Sequence, residues 1–358
     1  MKNRALAIVF VYLGKTVPNY VFSNAEKVSQ TFDIETFLYL SHSLQAEEDM
    51  KAPSKLRIRK LPEDFLEYEL ELNHDKKFRE RYWFLTYERL LALKEIHNDL
   101  GRNYSILHVE ADVIIMPTFP FSTYLNDKIR WCRHDETRDV ASLVYLPSYE
   151  ATDWLFEELL LQAKMDANVT DMSALRRIRE SHAKKVEVFN DISTLENLEP
   201  VDDIFDGLSL GLWLFGADPK TTYGISLLHE KNTLSSTSAI AFTRAIAGEF
   251  LLQKSSQALV LKHENLSVTI HCVHVHSKNI GLFQLDNLAL LDKYVQLAKN
   301  KSEIIFEIDW RLTLRLLLEN FQSNSLMNYV GHLYRFMRKG EKNSRRILLI
   351  LRFLFRGI

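Results

Sequence analysis

The sequence predicts an α/β fold: a mostly parallel sheet flanked by helices, followed by a helical C-terminal extension. Three observations predict it. Ala5 to Tyr12 (ALAIVFVY) is apolar along its whole length, the mark of a strand covered on both faces. Short apolar runs then alternate with longer stretches of helical period up to residue 109. Finally, 358 residues with 46% hydrophobic side chains suffice for one large core.

Taken in order, Pro18 opens an amphipathic helix that runs to about Phe32, and Ile34 to Leu40 forms a second strand. Lys55 to Leu61 alternates (LRIRKL) as a third strand. Phe78 to Leu100 places Tyr82, Leu85, Leu90, Leu93 and Ile96 mostly three or four apart, a helix of about five turns. Ser105 to Val109 starts the next strand, and sheets of this type bind ligands at the carboxyl ends of their strands. Further strands are expected at Arg130–Trp131 and Val140 to Leu146, and helices over 149–163 and 172–184. Ile204 to Leu214 reads as a helix. Gln257 to Lys262 and Leu266 to His276 read as a hairpin, and Leu285 to Ala298 as a helix. With no internal repeat or low-complexity linker, one compact domain over 1–300 and a helical extension over 301–358 is the economical division.

Two cysteines, Cys132 and Cys272, are too few for a disulfide framework and lack zinc-site spacing, which fits a reducing, cytoplasmic setting. No run reaches the ~18 apolar residues that cross a bilayer. A net charge of −2 argues against coating nucleic acid through bulk charge, but the average conceals an asymmetry. Residues from Arg335 onward carry +7 and everything before them −9.

Four segments could carry chemistry. His108-Val109-Glu110-Ala111-Asp112 delivers two carboxylates at i, i+2; in an extended chain they point to one side, about 7 Å apart. They suit a hard cation such as Mg²⁺ or Mn²⁺, or they are simply a solvated loop at a strand end. In His271-Cys272-Val273-His274-Val275-His276-Ser277-Lys278, one strand face carries Leu266, Val268, Ile270 and Cys272 and ends in His274 and His276. These imidazoles are metal ligands or buried hydrogen-bonding groups, with Lys278 as a point charge for phosphate. Phe205-Asp206-Gly207 leads to Gly211 and Gly216-Ala217-Asp218-Pro219, with Asp206 either capping a core helix or facing a ligand. Arg81 to Leu90 is an aromatic-rich helix start in which Arg89 pairs with a carboxylate or a phosphate.

In combination and in order, these motifs resemble metal-dependent GT-A-type glycosyltransferases of bacterial surface-polysaccharide biosynthesis, over residues 5–285. Val11-Tyr12-Leu13 with Pro18, and Trp83-Phe84 through Thr86 to Arg89-Leu90, are similar to that family's opening strand and helix. His108 to Asp112 is similar to its acidic metal motif in a Glu-x-Asp version. Residues 205–219 resemble its Phe-Asp, Gly and Gly-x-Asp-Pro segment, and His274 to Lys278 its His-x-His-Ser-Lys motif. Leu210, Leu212 and Trp213 depart from the smaller residues usual there, which affects sugar or acceptor contacts. The resemblance implies a GT-A-like domain that uses a divalent cation, a nucleotide-diphosphate sugar donor and a glycan or lipid-linked acceptor. It implies Glu110, Asp112 and His276 or His274 as metal ligands, and Arg89 and Lys278 against the donor. Asp206 is implied as the sugar-contacting or base carboxylate.

Arg345, Arg352 and Arg356 fall within about 40° of one another on a helix, a basic stripe on an apolar background. This tail suits a membrane interface and a peripheral position on the inner membrane face, or else docks on the protein itself. Two rival readings are a metal-dependent phosphoesterase or amidohydrolase using His-x-His, and a non-enzymatic membrane-associated interaction protein.

Overall fold

The computed structural model describes residues 4–42, 44, 55–62, 65, 72–74, 81–134, 138–190, 203–208, 210–211, 225–228, 251–254, 258–263, 266–276 and 305–308. The chain divides into two compact units, one of residues 1–218 and 227–305 and one of residues 219–226 and 306–358.

In the first unit, β1 (Ala5–Tyr12), α1 (Asn19–Thr31), β2 (Glu35–Leu40), β3 (Leu56–Lys60), α2 (Tyr82–Leu100) and β4 (Tyr104–Val109) follow the strand and helix order expected from the sequence. Next come β5 (Val113–Ile115), α3 (Phe121–Tyr124), β6 (Ile129–Arg133), β7 (Asp139–Leu146), α4 (Tyr149–Met165), α5 (Asp171–Ser181), β8 (Val186–Phe189) and β9 (Asp203–Phe205). After β10 (Ile225–Leu228) lie β11 (Leu251–Lys254), β12 (Leu259–His263), β13 (Leu266–His274) and β14 (Ile305–Ile308). β10 and β14 form their own two-stranded sheet.

The main sheet has the order β3-β2-β1-β4-β7-β6-β8. β1 pairs in parallel with β2 and β4, and β2 with β3; β7 runs against both of its neighbours, and β6 pairs in parallel with β8. Only β7 breaks a common direction. The unbroken apolar run of β1 is explained by its two covered faces. Ala7, Val9 and Val11 pack with Leu90, Leu93, Leu155 and Leu159 of α2 and α4, while Ile8 and Phe10 pack with Val21, Ala25 and Val28 of α1. Local caps fix the helix starts: Ser148 Oγ accepts from the Ala151 amide at 3.2 Å, and Thr170 and Ser173 form a capping box at α5.

A second sheet, β11-β12-β13-β5 with β9 beside β13, contains the expected hairpin as the antiparallel pair β12 and β13. It also corrects one expectation. Asp203–Phe205 is a strand, not the start of a helix, because Asp203 and Ile204 pair in parallel with Thr269 and Ile270 of β13. The pairing contributes backbone hydrogen bonds and buries Ile204 and Phe205 completely. The helix expected over 285–298 lies outside the described residues. So does the extension over 301–358, apart from the strand β14.

Candidate active site

β4 belongs to the first sheet and β5 to the second, so the chain crosses between sheets at Glu110-Ala111-Asp112. The crossing is a turn in which the Val113 amide donates to the Glu110 carbonyl at 3.0 Å. This corrects the extended geometry expected for the acidic pair. The turn, at the carboxyl end of β4, brings both carboxylates within reach of one imidazole. His274 Nε2 lies 3.1 Å from Asp112 Oδ2 and 3.3 Å from Glu110 Oε2. β13 carries His274 alongside β5, in register with Val113.

The strand face expected to end in two imidazoles ends in one, because β13 stops at His274 and His276 lies in the turn that follows. Val268, Ile270 and Cys272 are fully buried, and His274 follows them at the end of β13. Beyond the strand, the His276 amide donates to the His274 carbonyl at 3.1 Å and the two rings stack with centroids 3.8 Å apart. Asp112, His274 and His276 each offer a ligand atom, all within 4.8 Å of one another. His271, of opposite parity, joins a different cluster: its Nε2 lies 2.6 Å from Asp203 Oδ1, which belongs to the carboxylate that also accepts from Tyr124 Oη at 3.1 Å.

The chemistry of this donor set fits a divalent cation. His274 Nδ1 lies 2.7 Å from the Gly207 carbonyl, which only accepts, so Nδ1 carries a proton and Nε2 is the atom turned toward the carboxylates. A lone pair against carboxylate oxygens is repulsive unless a cation or a second proton lies between them. Either a proton on Nε2 or a divalent cation meets that requirement, and one carboxylate with two imidazoles, their ligand atoms within 4.8 Å of one another, is a donor set that suits the cation. The bond to Gly207 is also the kind of outer contact that orients a ligating histidine.

Each carboxylate in the site has a distinct setting. Glu110, 8% exposed, is paired with Arg89 of α2. Burial opposes the Arg89 charge, but Glu110, Asp171, Tyr82 and Asp112 more than offset this and hold its pKa above the ordinary value. Asp206, 1% exposed, accepts four backbone N–H groups. Oδ1 takes Leu208 at 3.2 Å and Leu210 at 2.8 Å; Oδ2 takes Gly211 at 2.8 Å and His274 at 3.2 Å. Burial raises the Asp206 pKa, with the Leu210, Gly211 and His274 amides acting the other way. Its oxygens are therefore committed to holding the backbone at Leu208, Leu210 and Gly211 against β13. That approach is so close that a Cβ on Gly211 would sit 1.7 Å from the His274 carbonyl oxygen.

Two further residues belong to the surroundings of this site and were not singled out in the sequence. Asp171, at the start of α5, is 4% exposed and its pKa is pushed up to about 6, first by burial; the charge of Arg89 opposes the shift and that of Glu110 adds to it. Asn24 of α1 reaches the acidic turn. Its signal was present: Val21, Asn24, Ala25 and Val28 form the buried stripe of α1, so an amide stands in an apolar series. His108 is fully buried and neutral, its pKa lowered to about 3 by burial and by Arg89, with Nδ1 donating to the Val9 carbonyl at 3.1 Å. Lys278 lies outside the described residues.

No family model and no curated protein matches the sequence. Among solved structures the chain is similar to PaToxG glycosyltransferase at 10% identity and a TM-score of 0.32, over 49% of this chain and 68% of that one. It is also similar to the galactosyltransferase LgtC in complex with donor and acceptor sugar analogs, at 11% identity and a TM-score of 0.40, over 85% of this chain and 99% of that one. An active-site mutant of LgtC aligns at 12% identity and a TM-score of 0.39, over 86% of this chain and 99% of that one.

Proposed function

We propose that the chain is a metal-dependent glycosyltransferase that moves a sugar from a nucleotide-diphosphate donor to a glycan or lipid-linked acceptor in cell-surface polysaccharide synthesis. The observation that carries this reading is the convergence of Asp112, His274 and His276 at the carboxyl end of β4, within 4.8 Å of one another. The ordered motifs that resemble GT-A enzymes support it. These three residues would hold the cation, with Glu110 beside them under the control of Arg89. A bound divalent cation supplies positive charge to the departing nucleotide diphosphate. Two imidazoles and one carboxylate favour Mn²⁺ over Mg²⁺, which prefers an all-oxygen shell.

The bond to be broken joins the anomeric carbon to a phosphate oxygen, so stabilising the leaving group is the first requirement. Lys278 is assigned to that charge. The buried setting of Glu110, Asp112 and His274 lowers the local dielectric and strengthens every such interaction. Asp206, with four backbone donors on its oxygens, takes a positioning role in place of the base or sugar contact implied by the resemblance. Among the described residues no helix is long and apolar enough to cross a membrane. The basic, apolar tail supports a peripheral position on the inner membrane face; deleting residues 340–358 is expected to release the protein from anionic vesicles in a sedimentation assay.

The test is calorimetric binding of UDP and GDP, with Mn²⁺ and with chelator, to the wild-type protein and Asp112→Ala. Metal-dependent binding lost in the variant is expected. Nucleotide binding that ignores chelator, or survives intact in the variant, contradicts the proposal.

A further inference from the structure

The acidic turn has its backbone satisfied from three directions. The Glu110 amide donates to the Ser142 carbonyl of β7 at 3.0 Å, and the Asp112 carbonyl accepts from the Val275 amide at 2.8 Å. The remaining two carbonyls, those of Ala111 and Val113 on either side of Asp112, are both taken by a single side chain. Asn24 Nδ2 donates to them at 3.0 and 2.8 Å. Both partners are carbonyls, so the amide nitrogen is the atom that must face them.

Asn24 is 1% exposed and stands in the apolar stripe of α1, between Val21 and Val28. Its Oδ1 is buried with no hydrogen-bond partner among the described residues. Burying an amide with an unsatisfied acceptor is costly, and an apolar residue would suit the stripe better on packing grounds alone. What the amide provides is two N–H donors in one plane, which fix the carbonyls of the residues on either side of Asp112 and hence the direction of its side chain.

We infer that Asn24 is a positioning residue for the cation site, setting Asp112 against His274 and His276 through the backbone of the acidic turn. The inference rests on the metal reading given above. Outer contacts of this kind typically change metal affinity on the order of 10–100-fold when removed. A residue that merely stabilised the fold would lower the melting temperature without weakening the metal bound by the protein that remains folded.

The experiment measures Mn²⁺ affinity by electron paramagnetic resonance on the full chain at a temperature where circular dichroism shows each protein folded. Asn24→Asp keeps the shape but replaces the two donors with an acceptor. Asn24→Ser, which retains one hydroxyl donor, serves if the first variant does not fold. The expected result is at least a tenfold weaker Mn²⁺ dissociation constant for Asn24→Asp, a smaller loss for Asn24→Ser, and a changed manganese line shape. Wild-type-like affinity in either folded variant overturns the inference while leaving the metal site standing. Wild-type protein that binds no Mn²⁺, or binds it equally well as Asp112→Ala, overturns the metal reading and this inference with it.

Discussion

The Val275 amide donates to the Asp112 carbonyl across 2.8 Å, tying the segment between the two site histidines to the acidic turn 163 positions earlier in the chain. His274 and His276 flank this donor, so one backbone bond sets both rings relative to Asp112. The site is assembled by strand pairing between β13 and β5, and its side chains inherit their geometry from that register.

The closest backbone approach in the site predicts its most sensitive glycine. Gly211→Ala would set a methyl group 1.7 Å from the His274 carbonyl oxygen and 2.6 Å from its carbon, both backbone atoms that cannot swing away. The turn or β13 must move, at a cost of about 1–3 kcal/mol or more. Thermal denaturation should show that loss and Mn²⁺ titration a weakened site. A variant with unchanged melting temperature and unchanged metal affinity would rule out the tight approach.

Asp206→Asn distinguishes a positioning carboxylate from a base. The amide offers one oxygen in place of two and turns N–H groups toward backbone N–H groups, so at least two of the four bonds are lost. Leaving those buried donors unsatisfied costs about 1–3 kcal/mol each. A marked fall in denaturation midpoint is expected. Full stability with only turnover abolished would return Asp206 to a catalytic role.

Two buried groups give opposite pH dependences. The folded-state pKa of Asp171 is raised to about 6 from 3.8, so the native state holds more protons between these values and this group's contribution makes stability fall as pH rises through that window. The pKa of His108 is lowered to about 3 from 6.5, so the unfolded state holds more protons there and its contribution makes stability rise with pH. Asp171→Asn should therefore gain up to about 3 kcal/mol at pH 7 and lose that advantage toward pH 4, steepening acid unfolding. Denaturant midpoints at pH 4, 5, 6 and 7 check the sign; a gain that grows as pH falls contradicts it.

The parallel half of the main sheet was legible because β1, covered on both faces, leaves an apolar run no other element explains. The parity of Leu266 through His276 likewise pointed to paired imidazoles. What could not be read was tertiary. Residues 204–214 are apolar with spaced glycines and fit a helix, and only the partner strand β13 makes Asp203–Phe205 a strand. The Glu-x-Asp spacing was legible as a ligand pair, but its turn depends on β4 and β5 lying in different sheets. The fourfold bonding of Asp206 depends on a contact with His274, 68 residues away.

The most direct measurement is release of nucleoside diphosphate from a panel of UDP-, GDP- and dTDP-sugars by wild-type protein and by Asp112→Ala and His276→Ala, with saturating Mn²⁺ or with EDTA. Slow release from at least one donor, requiring Mn²⁺ and falling by at least about 100-fold in both variants, is the expected result. Release from no nucleotide sugar by folded, Mn²⁺-saturated protein, or release indifferent to EDTA and to both substitutions, would contradict the account.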